Sequence, residues 1–179
     1  MITSKNTASV TSERTFCSWE TFVNDLLDRS ETPDEIREHL TDAGSGAWSY
    51  LLAGRGYESI LEVGAGTSSI IHHSFNLSDQ FHVCDVEPDR LEFTRQCHRL
   101  RRDSPGVSYV QCTSLLELPF ANGSFDCVLA RIPEMPNRSI PELLREICRV
   151  TSPTGQFMVI AENRLDWRHF AVARTGTSK

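Results

Sequence analysis

The sequence predicts an α/β domain: a parallel β-sheet with helices packed on both of its faces. From residue 58 onward, five short apolar runs alternate with amphipathic segments, which is typical of repeated β-α-β units. A glycine-rich turn, Gly64-Ala-Gly66, directly follows the first run, where a strand would end and a helix begin. The 179 residues suffice for one domain with a single core.

The chain ahead of the sheet divides into two parts. Residues 1–15 are polar and rich in Ser and Thr, so we expect a disordered tail. Between residues 16 and 27, apolar side chains recur at spacings of three and four, which indicates an amphipathic helix. We therefore interpret residues 16–57 as a helical lead-in to the same domain, residues 58–173 as the α/β domain and residues 174–179 as a second tail.

The alternating pattern gives the elements of the sheet domain. Strands are predicted at 59–63, 81–85, 107–111, 125–130 and 156–161. Helices are predicted near 68–76, 88–103, 139–150 and 164–173. The stretch Ser139-Ile-Pro-Glu142 has the sequence of a capping box and predicts the start of the helix that precedes the last strand.

Composition excludes several classes of function. The net charge is −6 and the isoelectric point about 5.5, so the fold as a whole is not built to neutralise phosphates, and no nucleic-acid partner is expected. No segment approaches the ~20 apolar residues that span a bilayer. The N-terminus has no apolar stretch typical of a secretory signal.

The six cysteines include no Cys-x-x-Cys pair, so the sequence predicts neither a metal site nor a redox dithiol. Several of them, Cys84, Cys127 and Cys148 among them, lie within apolar runs. We interpret them as small buried side chains in a reducing cytoplasm, where we expect this protein to reside.

The glycine turn is the most informative stretch for chemistry. Gly64 and Gly66 would let the backbone pass close to a ligand, and the following helix would offer free N–H groups. A dinucleotide-binding turn would carry a third glycine where this chain has Ser69. Glu62 lies at the end of a buried strand, so we expect it to face either a polar ligand or the amides of the loop.

A second acidic position follows about twenty residues later, in Cys84-Asp-Val-Glu-Pro88. An acid at the end of the second strand can accept hydrogen bonds from both ribose hydroxyls of a nucleoside. Alternatively, Asp85 or Glu87 caps the helix that opens at Pro88. Both roles are compatible because there are two acids.

Four motifs in order make the chain resemble class I S-adenosylmethionine-dependent methyltransferases. It is most similar to the small-molecule, ubiquinone/menaquinone-biosynthesis-like group, the type 11 methyltransferase domain, over roughly residues 55–162. The motifs are Leu61-Glu-Val-Gly-Ala-Gly-Thr67, the strand-ending Asp85, Leu118-Pro-Phe with Gly123-Ser-Phe-Asp126, and Leu144-Arg-Glu-Ile-Cys-Arg-Val150 with Pro153-Thr-Gly155. The resemblance implies a Rossmann-like, doubly wound parallel sheet of strand order 3-2-1-4-5.

The resemblance also implies a cofactor site for S-adenosylmethionine. Glu62 and the Gly64-Ala65-Gly66 turn match the motif that passes the methionine part of the cofactor. Asp85 matches the acid that holds the ribose, with Val86 beside the adenine. The remaining expected positions are Ser114 and Leu115, at the adenine amine, and Arg131, which borders cofactor and acceptor.

Some positions depart from the family pattern. Ser68 replaces the third glycine of the first motif, Ser114 replaces a carboxylate, and Thr154 replaces a glycine. Only eighteen residues follow Ala161, so we expect the sheet to lack the family's final antiparallel hairpin. The fifth strand would then have an open edge, suited to a protein partner or a second copy of the chain.

The leading functional hypothesis is in-line methyl transfer from S-adenosylmethionine to a small-molecule acceptor. The catalytic residues are unknown; Glu134, Asn163 and His169 are candidate bases without a choice among them. The alternative is a non-catalytic or truncated methyltransferase-like module that acts through protein–protein contact. A nicotinamide-dependent oxidoreductase fits the alternation of strands and helices but leaves the Leu118-Pro-Phe stretch unexplained.

Overall fold

A computed structural model describes residues 19–30, 37, 49–52, 56–65, 77–100, 106–132 and 137–161. Helix α1 spans Trp19–Asp28, as the helical pattern of the lead-in predicts. The sheet elements follow in the order β1 (Ile60–Val63), β2 (Gln80–Asp85), α2 (Pro88–Arg99), β3 (Gly106–Gln111), β4 (Phe125–Arg131), α3 (Ile140–Val150) and β5 (Thr151–Ile160).

The five strands form one sheet in the order β3-β2-β1-β4-β5. Every pairing between them is parallel, from Ile60 opposite Phe81 and Cys127 to Arg131 opposite Ile160. The predicted fold class and strand order are therefore confirmed. Because all strands run the same way, their carboxyl ends meet at one edge, the carboxyl edge, and their amino ends at the other, the amino edge. A cofactor binds outside the carboxyl ends in folds of this kind.

Helices cover both faces of the sheet. On one face, Leu143, Ile147 and Val150 of α3 pack in a cluster with side chains of β1 and β4. On the other face, Leu91 of α2 packs with Ile60 and neighbouring residues of β1, β2 and β4. The apolar stripe of each helix is thus buried, which stabilises the sheet by roughly 25 cal/mol for each Å² of apolar surface removed from water.

The amino edge is held by polar side chains. One carboxylate oxygen of Asp126, Oδ2, accepts hydrogen bonds from the backbone N–H groups of Glu58 and Ser59 at 3.0 and 3.2 Å. The Ser59 hydroxyl donates to the carbonyl oxygen of Ser124 at 3.1 Å. These bonds join the start of β1 to the start of β4, so the two central strands are fixed in register at this edge.

Arg149 and Glu146 of α3 hold the loop that leads into β4, and we call these two residues the Arg149 clamp. The guanidinium donates to both carboxylate oxygens of Glu146, to the carbonyl oxygens of Leu118 and Phe120, and to Oδ1 of Asn122, all at 2.7–2.9 Å. Glu146 also accepts from the Leu118 N–H. These hydrogen bonds lower the pKa of Glu146, the largest contribution coming from Arg149.

Strand β5 begins earlier than the sequence indicates. It starts at Thr151, directly after α3, and its register with β4 shifts between Phe125 and Cys127. A Cβ atom on Gly155 would lie 2.8 Å from the carbonyl oxygen of Asp126, whereas Thr154 is exposed. Gly155 therefore lets β5 pass close to the backbone of Asp126. Thr154, which replaces a glycine of the family pattern, is tolerated because its side chain is exposed.

The predicted start of α3 is confirmed, since Ser139 is its N-cap residue. The capping bond itself is absent, because Ser139 follows the 3-10 turn Asn137–Ser139 with a helical backbone. One further prediction is wrong. Cys148 is exposed on α3 rather than buried, while Cys84, Cys112 and Cys127 are buried as expected. The predicted tails, the predicted helices near 68–76 and 164–173 and the absence of a final hairpin concern positions outside the described residues. The domain boundaries stay predictions.

Candidate cofactor site

Gly64 lies at the middle of the carboxyl edge, directly after β1. Its φ of 73° is in the left-handed region, which favours glycine. Its N–H donates to the carbonyl oxygen of Cys84 on β2 at 2.9 Å. A Cβ atom there would meet the carbonyl oxygen of Arg131 at 3.2 Å and Leu115 Cδ1 at 3.6 Å. The turn thus lies tightly between the ends of β2 and β4, and any residue other than glycine would be strained at position 64.

The other predicted residues of the glycine motif are placed as follows. Glu62 is 1% exposed, in the middle of the sheet, opposite Val83 and Leu129. Its charge is one of the causes, after burial, of the high pKa of Tyr109, which is raised to about 12. Ala65 is fully buried. Gly66 lies outside the described residues, as do Ser68 and Ser69.

Asp85 ends β2 next to this turn and is 1% exposed. Its Oδ1 accepts from the N–H of Glu87 at 2.9 Å, and its backbone oxygen accepts from the N–H of Cys112 at 3.0 Å. Glu87 occupies the cap position of α2 but forms no side-chain capping bond. Asp85 therefore orders the turn ahead of α2 instead of capping that helix. Val86, half-buried, packs against the core on the face covered by α3.

The loop after β3 reaches the same edge. The Ser114 hydroxyl oxygen accepts from the N–H of Leu116 at 3.0 Å, which tightens the loop. Leu115 is buried and lies against the Gly64 position. Ser114 is half-buried. The structure thus brings Gly64, Leu115 and Arg131 into direct proximity, with Asp85 one strand away.

Arg131 ends β4 opposite Ile160 of β5. The side chain is half-buried, and its Nε atom is buried with no hydrogen-bond partner among the described residues. Unpaired buried donors of this kind are uncommon in folded proteins. The resemblance to the family predicted that Arg131 borders the site. Nothing in the sequence indicated that its Nε would lack a described partner.

A thiol pair beside the site was missed from the sequence. The interaction of Cys84 with the neighbouring thiol of Cys112, together with burial, raises the pKa of the Cys84 thiol. A search for Cys-x-x-Cys could not find the pair, since the two residues lie on different strands. Its signal was the position of each cysteine near the end of consecutive predicted strands.

The described part of the chain has neither a membrane-spanning helix nor a cluster of metal-ligating side chains. None of its helices is long and apolar enough to cross a membrane. Within the same residues, no group of three or more His, Cys, Asp or Glu side chains could hold a metal ion. The candidate bases Glu134, Asn163 and His169 lie outside the described residues.

The parallel sheet, its glycine turn and the acid that ends β2 define a Rossmann-like cofactor-binding domain. The profile of the methyltransferase domain family matches residues 60–155, more than half of the chain and the whole of the site described above. The chain belongs to this methyltransferase domain family, which confirms the resemblance seen in its motifs.

Two curated relatives match parts of the chain. A malonyl-[acyl-carrier protein] O-methyltransferase from Halorhodospira halophila is 29% identical over 103 residues, covering 55% of this chain and 33% of that protein. The biotin biosynthesis bifunctional protein BioHC from Cellvibrio japonicus is 26% identical over 125 residues, covering 70% of this chain and 24% of that protein. This chain thus spans a third or less of either relative.

Solved structures confirm the fold. The DhpI-SAM-HEP complex matches with a TM-score of 0.58 at 18% identity, over 93% of this chain and 76% of that one. At this identity the similarity establishes a shared architecture, and the function has to be argued from the site.

Proposed function

We propose that this chain transfers the methyl group of S-adenosylmethionine to a small-molecule acceptor. The observation that carries the proposal is the Gly64 turn, which has no room for a side chain and lies beside the buried Asp85 at the carboxyl edge. Membership of the methyltransferase domain family and the fold shared with a SAM complex support the same cofactor.

The residues at the carboxyl edge have the chemical groups that this cofactor requires. Asp85 accepts from the Glu87 N–H through Oδ1, and a carboxylate can serve several donors at once. In our proposal Asp85 holds the ribose hydroxyls, and Val86, Ser114 and Leu115 border the adenine. The turn that begins at Gly64 passes the methionine part; Gly64 has a positive φ, and a Cβ there would crowd the Arg131 carbonyl oxygen.

The chain contributes chiefly alignment in this mechanism. When bound, S-adenosylmethionine supplies a methyl group on a sulfonium, which is already a good leaving group. The protein's task is to hold the acceptor in line with that methyl group and to exclude water. Alignment of two reactants is worth about 7–11 kcal/mol of the barrier in favourable cases. The carboxyl edge suits this task because fixed strand ends, rather than a single loop, position Gly64, Asp85 and Arg131.

The role of Asp85 can be tested by calorimetry with S-adenosylhomocysteine. Asp85→Ala should weaken binding at least tenfold, about 1.4 kcal/mol, because hydrogen bonds from the ribose to a charged group are lost. Asp89→Ala is the matched control, since Asp89 is exposed on the first turn of α2, four residues away. The control should bind like the wild type.

Asp85→Asn separates binding from folding. Asparagine keeps an oxygen for the Glu87 N–H, so the turn should stay intact while the charge is lost. We expect this variant to melt near the wild-type temperature and to bind the ligand more weakly than the wild type. Wild-type affinity in a folded Asp85→Ala variant would remove Asp85 from the cofactor site.

A second candidate function is contact with another protein through β5. Among the described residues β5 pairs with β4 alone, and its Phe157 is 46% exposed. A long apolar edge of this kind favours pairing with another strand. Sedimentation at increasing concentration should then show association that Phe157→Glu abolishes and Thr154→Glu, at an exposed position of the same strand, does not. A monomer at all concentrations would count against self-association.

We also propose a cytoplasmic location. Cys84 and Cys112 affect each other's pKa but form no disulfide, and among the described residues Cys97, Cys127 and Cys148 form none either. Thiols persist in this state in a reducing compartment. Fractionation of cells that produce the chain, followed by labelling of free thiols, tests this assignment. Recovery in an oxidising compartment would contradict it.

A further inference from the structure

Two half-buried arginines of this chain are in opposite states. Arg149, near the amino edge, donates five hydrogen bonds to Glu146, Asn122 and backbone oxygens. Arg131, at the carboxyl edge, makes no hydrogen bond or ion pair with any residue that the structure describes, and its Nε is buried. A guanidinium cannot lose its charge at ordinary pH, so the buried Nε of Arg131 is a cationic donor without an acceptor among the described residues.

The described neighbours of Arg131 on its own face of the sheet are apolar. Ile160 lies opposite it on β5, and Leu129 lies two residues earlier on β4; both belong to the apolar cluster on the face covered by α2. Its carbonyl oxygen lies 3.2 Å from the Cβ position of Gly64, so the residue belongs to the same turn region as the candidate cofactor site. In apolar surroundings an ion pair or a charged hydrogen bond is stronger than in water, and an unpaired charge is more costly.

The described acids near Arg131 are not paired with it. Asp85 Oδ1 is bonded to the Glu87 N–H, and Glu62 lies two positions earlier in the register on the neighbouring strand without an ion pair to Arg131. None of the acids that the structure describes is thus the acceptor for Arg131, and its buried Nε is available to a ligand.

We propose that Arg131 is the anion-binding residue of the site and that it takes a ligand carboxylate. This inference rests on the proposed function and deepens it. A carboxylate matches the fork of a guanidinium and accepts two parallel hydrogen bonds. Two sources share this chemistry: the carboxylate of the amino-acid part of the cofactor and a carboxylate of the acceptor.

The first arm of the test examines the cofactor as the source. Wild-type protein and Arg131→Gln are titrated with S-adenosylhomocysteine and with 5′-methylthioadenosine, which lacks the amino-acid carboxylate. If the cofactor supplies the carboxylate, Arg131→Gln weakens binding of S-adenosylhomocysteine about tenfold or more and leaves 5′-methylthioadenosine unchanged. Arg131→Lys, which keeps the charge but not the fork, should recover part of the loss.

The second arm examines the acceptor as the source. With S-adenosylhomocysteine at saturation, the same proteins are titrated with malonate and with the neutral malonamide. If the acceptor supplies the carboxylate, the wild-type protein binds malonate more tightly than malonamide. In Arg131→Gln the ratio of these two affinities should fall about tenfold, while the affinity for S-adenosylhomocysteine stays unchanged. Arg138→Gln is the matched control, because Arg138 is exposed in the turn before α3, and it should behave as wild type in both arms.

The proposal is overturned if Arg131→Gln equals the wild type in both arms. It is also overturned if ligand-free Arg131→Gln melts well below Arg138→Gln, since that would assign the side chain a structural role. We expect no such fall, because the guanidinium has no described partner to lose. If the wild type binds neither nucleoside, the proposed function fails separately, and the malonate arm without nucleoside still decides the role of Arg131.

Discussion

The two edges of the sheet use their polar side chains differently. At the amino edge, Asp126, Ser59 and the Arg149 clamp are hydrogen-bonded to backbone and to one another. At the carboxyl edge, the turn at Gly64 leaves no room for a side chain, and Arg131 has no described partner for its buried Nε. The polar groups of Asp126, Ser59 and Arg149 are thus paired within the chain, although Ser152 Oγ near the same edge has no described partner. At the carboxyl edge, our proposal has a ligand pair with Arg131.

This difference separates stability from function along the same strands. Paired polar groups at one end hold β1 and β4 in register, so strained or unpaired groups at the other end can be tolerated. Substitutions at the amino edge should therefore lower the free energy of unfolding and leave cofactor affinity in the folded fraction unchanged. Substitutions at the carboxyl edge should lower affinity more than stability.

The largest effect is expected at the Arg149 clamp. Arg149→Met should lower the free energy of unfolding by roughly 2–3 kcal/mol, because it leaves Glu146 and the carbonyl oxygens of Leu118 and Phe120 without their donor. Urea titration measures this change. Arg145→Met, on the exposed face of the same helix, is the control and should cost less than about 0.5 kcal/mol.

The same variant tests the separation of the two edges. Below its melting temperature, Arg149→Met should bind S-adenosylhomocysteine with wild-type affinity. A tenfold loss of affinity in the fully folded variant would show that the clamp also positions Ser114 and Leu115, and the two edges would then be coupled.

At the carboxyl edge, Gly64→Ala should cost about 1–2 kcal/mol of stability. The positive φ disfavours any side chain, and the added Cβ would lie 3.2 Å from the Arg131 carbonyl oxygen. Relief of this contact would displace the turn, so affinity for S-adenosylhomocysteine should fall at least tenfold. Gly56→Ala is the control, since a Cβ there meets nothing within 4 Å. Wild-type affinity in Gly64→Ala would contradict the placement of the cofactor.

The smallest effects concern pH. Burial lowers the pKa of His82 below 6.5, so the unfolded chain binds a proton first and stability should decline as pH falls below about 6.5. The bonds to Arg149 lower the pKa of Glu146 below 4.5, so a further decline should begin below about pH 4.5. Denaturant titrations across this range measure both.

Two variants assign the two declines. His82→Phe should remove the decline that begins near pH 6.5, because it removes the titrating ring from the contacts with Phe120 and Phe125. Arg149→Met should flatten the decline below pH 4.5, since Glu146 then loses the donor that favours its charged form. Unaltered pH profiles in these variants would mean that other groups govern the acid sensitivity.

Much of this architecture could be predicted from the sequence. Alternation of apolar runs and amphipathic segments gave a parallel sheet with helices on both faces, and the Gly64 turn and Asp85 were recognised because strand ends carry distinctive residues. The strand order followed from the resemblance to methyltransferases, since local patterns do not encode which strands are neighbours. The spacing of residues was thus sufficient to predict the features that depend on interactions between neighbours in the chain.

Other features could not be predicted because their partners lie far apart in the chain. The oxygens that Arg149 binds outside its own helix come from residues 27–31 positions earlier, and most of them are backbone atoms, which leave no mark in the sequence. The contact of Cys84 with Cys112 likewise spans two strands. The start of β5 at Thr151 was missed because Pro153 and Gly155 indicate a turn. In the structure both residues belong to β5, at the point where its register with β4 shifts.

The most direct test of the account is a calorimetric titration of the wild-type chain with S-adenosylmethionine and S-adenosylhomocysteine, with NAD as the comparison ligand. We predict saturable binding of the first two, with dissociation constants on the order of micromolar, and no binding of NAD. Binding of neither sulfur nucleoside to a folded chain, or preference for NAD, would contradict the assignment of the carboxyl edge as a methyl-donor site.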